Sequence, residues 1–86
     1  MTQLSNIEGK ALKSLRSPPH TELLRRLVAA RQKAGLTQEQ LASKLERNQS
    51  FVAKYETGER RLEVIEFVQI CRAIGASPER IIAKLP

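Results

Sequence analysis

The sequence predicts an all-α fold, a compact bundle of five helices whose second and third form a helix-turn-helix. Three observations carry this expectation. Gly35, Gly58 and Gly75 each follow an apolar run of helical period, where a left-handed residue closes a helix. Thr37 and Gln40 stand three residues apart ahead of a further such run, as a capping box requires. No segment alternates apolar and polar residues as a half-buried strand does.

The elements follow in order. The first helix is expected to start at Ser17, with Pro18 and Pro19 in its first turn, and to end at Gly35. Leu23, Leu24, Leu27, Val28, Ala30 and Ala34 form its apolar stripe. The second begins after Thr37, with Leu36 and Leu41 as a hydrophobic staple and Leu41, Ala42 and Leu45 facing inward. The third covers 48–56, capped by Asn48, with Val52 and Tyr55 inward. The fourth covers 63–73 and is expected to bury Val64, Phe67, Val68, Cys71 and Ile74. The fifth is short: Ser77 caps it, Pro78 takes its first position, and Ile81, Ile82 and Leu85 are apolar.

Residues 1–16 are set apart from this pattern. Leu4, Ile7, Ala11, Leu12 and Leu15 fit a weak amphipathic helix that Gly9 interrupts, and short isolated helices are marginal. The expected organisation is therefore a tail or arm at 1–16 and one domain at 17–86. A tail is the plain reading; an arm that contacts DNA, a second copy or a protein partner is the alternative.

Composition narrows the function. A chain of 86 residues makes one domain at most, and 41% apolar content suits a globular one. The net charge of +6 points to a polyanionic partner. It is unevenly spread. Residues 1–36 hold seven Lys or Arg against two Glu, 37–61 hold five against four, and 62–86 hold three of each. Cys71 is the only cysteine, so no internal disulfide forms, which suits a reducing cytoplasm. No apolar run approaches the ~20 residues that span a bilayer, so no membrane partner is expected. One His and one Cys cannot make a zinc site. Cys71 is expected to pack in the core and His20 to be exposed. Neither a nucleophile with its base nor a carboxylate pair is evident, so no enzyme, metal or cofactor is expected.

The polar face of the third helix carries the chemistry. Gln49, Ser50, Ala53 and Lys54 lie opposite Val52 and Tyr55. An amide side chain grips adenine by two hydrogen bonds, Ser donates or accepts, and Lys reaches guanine or a phosphate. Any exposed helix also has a polar outer face, so this pattern alone decides little. Phe51 has two placements open to it: against a thymine methyl or sugar in the groove, or packed on the second helix or the loop after Gly58.

Residues 21–83 resemble the Cro/lambda-repressor-like (Xre) helix-turn-helix family of phage and bacterial regulators. The resemblance rests on Arg31, on Gly35-Leu36-Thr37-Gln38, Leu41-Ala42, Gln49-Ser50 and Val52, on Glu56, Gly58 and Arg60, and on Ala73-Ile74-Gly75. It implies base contacts by Gln49, Ser50 and Lys54, to which Phe51 is added. It implies phosphate contacts by Gln38, Asn48, Arg60 and Arg61, and a brace from Gln38 to Gln49. It pairs Arg31 with Glu56 as an orienting ion pair. The family usually has Gly where this chain has Glu46, so either the turn is reshaped or a left-handed Glu is tolerated. The expected function is a sequence-specific DNA-binding regulator, a cytoplasmic repressor reading a near-palindromic operator as a homodimer through Ile82 and Leu85. The alternatives are an antitoxin that represses its own operon, with 1–16 facing the toxin, and a protein-interaction module on the same fold.

Overall fold

Apart from the helix that follows Asn48, each helix begins where a side chain or proline relieves its first unpaired N–H groups. In the computed structural model of the protein, residues 17–86 are described, and the segment 1–16 with its expected tail or arm lies outside them. Helix α1 (Pro18–Lys33) is capped by Ser17, which accepts from His20 N, and Pro stands at its first positions. Helix α2 (Gln38–Lys44) has a complete capping box. Gln40 N donates to Thr37 Oγ1 at 3.0 Å, and Thr37 N donates to Gln40 Oε1 at 2.9 Å. Helix α3 (Gln49–Thr57) follows Asn48, and α4 (Val64–Ile74) follows Glu63. Helix α5 (Pro78–Ala83) is capped by Ser77. Gly58 and Gly75 close α3 and α4 in left-handed conformation, φ 85° and 71°.

All five expected helices are present, and no strand occurs among the described residues. Helix α3 packs on α1 and α2, α4 lies against α1 and α2, and α5 closes the bundle against α1 and α4. Leu27, Leu41, Val52, Tyr55, Ile70 and Cys71 are fully buried where these helices meet. Ala42 is 2% exposed at the α2–α3 crossing, where a larger side chain would hold the two backbones apart.

Four expectations about burial are corrected. Val64 is 75% exposed, and Ile70, absent from the expected set, is fully buried. The inward face of α4 is Glu66, Phe67, Ile70, Cys71 and Ile74, so the stripe is rotated toward Ile70 and leaves Val64 at its edge. Ala34 is exposed because it is the C-cap of α1, beyond the last turn that faces the core. In α5 no expectation changes: Ile81 takes the core position and Ile82 is exposed. His20 is half-buried, with no hydrogen-bond partner for its Nε2 among the described residues. Burial, and then Arg61, lower its affinity for a proton. Cys71 is buried as expected, and burial pushes its thiol up to about 11.

Candidate nucleic-acid interface

The turn from α2 to α3 decides how the third helix is presented. Glu46 N donates to Ser43 O at 3.1 Å and Arg47 N to Ala42 O at 2.9 Å. These are the two bonds of a Schellman stop, and Glu46 occupies its left-handed position at φ 55°. The turn is therefore kept and the conformation tolerated, at a cost of about 1–2 kcal/mol for a side chain there. Helix α3 leaves the turn along the path a glycine would set.

A chain of hydrogen bonds then ties α1 to the first turn of α3. Arg31 Nε donates to Glu56 Oε2 at 2.7 Å, and its Nη2 donates to Oε1 at 3.1 Å. Arg31 Nη1 donates to the Leu36 carbonyl at 2.7 Å. The two side chains are only 11% and 6% exposed. Gln38 Nε2 donates to Glu56 Oε1 at 2.9 Å, and Gln49 Nε2 donates to Gln38 Oε1 at 3.0 Å.

The polarity of this chain is forced. A guanidinium only donates and a carboxylate only accepts. Gln38 must turn its NH₂ toward Glu56, which leaves its oxygen facing Gln49. Gln49 must then offer an N–H to it. The exposed remainder of Gln49 is one N–H and one oxygen, side by side at the start of α3.

Around that amide, Ser50, Lys54 and Asn48 are exposed. Asn48 makes no side-chain bond to the start of its own helix, so its amide is not used in capping. Arg61 is exposed and lines a cleft with His20, Leu23 and Leu85.

Of the two placements left open for Phe51, the structure has the packed one, and the ring does not lie on this exposed face. It is 7% exposed, its ring 5.5 Å from that of Tyr55. The guanidinium carbons of Arg47 and Arg60 lie 4.0 and 4.8 Å from its centroid. The placement it adopts is packing, with the loop after Gly58 folded over it.

Arg60 is also engaged within the protein. Its Nη1 and Nη2 donate to Glu66 Oε1 and Oε2 at 2.8 and 2.9 Å, and Nη1 also reaches the Arg61 carbonyl at 3.0 Å. Arg47 Nη1 donates to Glu66 Oε2 at 3.2 Å, and Glu63 N to Glu66 Oε1 at 3.0 Å. Arg60, against the cost of burial, and then the Glu63 amide and Arg47 hold the Glu66 carboxyl at about 2. Sequence reasoning passed over both Glu66 and Arg47. The available signal was the spacing of Glu63 and Glu66, three apart at a helix start. Nothing in the sequence announced that two arginines from other segments would meet there.

Among the described residues, no group of three or more His, Cys, Asp or Glu is placed to hold a metal ion. No helix among them is long and apolar enough to cross a membrane.

Comparison with known proteins agrees with the helix-turn-helix fold. Residues 22–81 match the family model of a helix-turn-helix domain. Among solved structures, the chain is similar to an XRE-family like protein from Pseudomonas syringae pv. tomato str. DC3000. The two are 47% identical, the match covers 87% of this chain and 92% of that one, and the TM-score is 0.78. No curated protein matches the chain.

Proposed function

The chain belongs to the XRE-type helix-turn-helix family of DNA-binding regulators, and from that premise we propose a sequence-specific transcriptional repressor. It acts in the cytoplasm, on a near-palindromic operator, as a homodimer. The observation that carries the reading is the fixed amide of Gln49. Adenine offers one donor, N6, and one acceptor, N7, on its major-groove edge. Gln49 presents the complementary pair, already oriented by Gln38 and Glu56.

Ser50 and Lys54 extend the reading face along α3. Asn48, Gln38 and Arg61 are assigned the flanking phosphates, which add affinity and salt dependence but no sequence information. One protomer offers a single reading helix. A two-fold dimer sets two such helices about one DNA turn apart, roughly 34 Å. Ile82, apolar and exposed, and the neighbouring Leu85 are assigned to its interface.

Selection of bound duplexes from a random DNA pool tests the reading. The expected product is a palindromic consensus with adenine at one position of each half-site. Replacing Gln49 and Ser50 together by Ala is expected to cost about 1–3 kcal/mol of base discrimination for the bidentate Gln49 pair, with a smaller loss from Ser50. A featureless selected pool at moderate salt would sink the proposal.

A further inference from the structure

We propose that Arg47 is a DNA-backbone contact, held ready on the Phe51 ring and Glu66. The inference rests on α3 being the DNA-reading helix, and it adds a residue outside the set assigned above.

Arg47 stands two residues before Gln49, in the turn that delivers α3. Its guanidinium carbon lies 4.0 Å from the centroid of Phe51, a ring that is itself 7% exposed and therefore a fixed floor. Stacking on that floor restrains the plane of the fork without using its N–H groups. One hydrogen bond, from Nη1 to Glu66 Oε2 at 3.2 Å, fixes its rotation. A guanidinium has five N–H donors, so most of its donor capacity remains, on a side chain 40% exposed.

The contrast with Arg60 decides which arginine is available. Both face the same ring and the same carboxylate. Arg60 takes both Glu66 oxygens, at 2.8 and 2.9 Å, and a backbone carbonyl as well. Glu66 carries one negative charge, and the Arg60 pair largely satisfies it. Arg47 is thus the surplus cation of the cluster, standing beside the first turn of a helix that enters the groove between two phosphate rows. A long side chain held in this way has less rotamer freedom to lose on binding, which favours it over a mobile lysine. Its position also bears on the charge balance, because the segment 37–61 has only five Lys or Arg against four Glu.

The rival role is purely internal, with Arg47 serving only to cover Phe51. Salt dependence separates the two. Wild type, R47A, R47K and R47Q are titrated by fluorescence anisotropy with a selected duplex and with a random-sequence duplex, across a salt series. The proposed role predicts that R47A weakens both duplexes by the same factor and lowers the slope of log affinity against log salt by about 1. R47K, which keeps the charge but not the fork, restores the slope and only part of the affinity. R47Q loses the slope as R47A does, and it carries the test should R47A not fold. An unchanged slope in R47A, or in R47Q where R47A does not fold, overturns the inference, and so does loss of slope in R47K. A wild type that does not distinguish the two duplexes overturns base reading instead, while the slopes on random DNA still decide the role of Arg47.

Discussion

Glu46 holds a backbone conformation that a side chain enters only at a cost, and it does so on the surface, where its carboxylate makes no hydrogen bond or ion pair with the described residues. The Schellman bonds around it require φ near its observed 55°, whatever residue is present. Glu46→Gly is therefore expected to stabilise the fold by about 0.5–1 kcal/mol: relief of left-handed strain, less the added freedom of a glycine in the unfolded chain. The midpoint of urea unfolding measures this, and a lower midpoint would contradict it. At this scale the sequence was readable wherever one residue type has one job. Thr37, Ser17 and Ser77 cap their helices because each hydroxyl accepts an N–H that the first turn leaves unpaired. Phe51 was not readable. Either placement satisfies the helical period, and the choice is made by Arg47 and Arg60, which arrive from outside α3.

Helix α4 shows where periodicity stops being informative. Eight of its eleven residues are apolar, so several stripes fit and the sequence does not choose among them. The choice falls to Glu66, which turns inward to meet Arg60 and Arg47 and brings Ile70 with it. This carboxylate joins α4 to the loop after α3 and to the turn before it. Its proton affinity is lowered in the folded state, from 4.5 to about 2. A lowered value means that the stabilisation is present above about pH 4.5 and is lost as the pH falls toward 2. The melting temperature is expected to drop across that window, and Glu66→Gln should flatten the drop while lowering stability at neutral pH. Parallel melts of the two proteins between pH 7 and pH 2 measure the difference. Equal slopes would remove Glu66 as the cause.

For the whole molecule, the proposed dimer makes a demand that the single chain does not. Ile82 is 56% exposed, so Ile82→Asp should change the stability of the protomer by no more than about 0.5 kcal/mol. If α5 carries the two-fold contact, sedimentation should show the variant as a monomer and the wild type as a dimer. Operator binding should weaken with it. A variant that still dimerises would move the interface elsewhere. Architecture at this scale was the most legible part of the sequence, since glycines and caps mark the helices independently of what they pack against. Two links of the hydrogen-bond path, Arg31 to Glu56 and Gln38 to Gln49, were legible only through resemblance, and the Gln38–Glu56 link that joins them was not legible, because the members of the path lie up to 25 residues apart and converge only when three helices pack. That path has a consequence for base choice. A guanine edge offers two acceptors in the major groove, and Gln49 has a single N–H left for it. On the proposed reading, the Gln49 oxygen cannot rotate away, because Gln38 cannot rotate, because a carboxylate cannot donate. The preference for adenine over guanine is thus set from inside the bundle, by a side chain 6% exposed that never enters the groove.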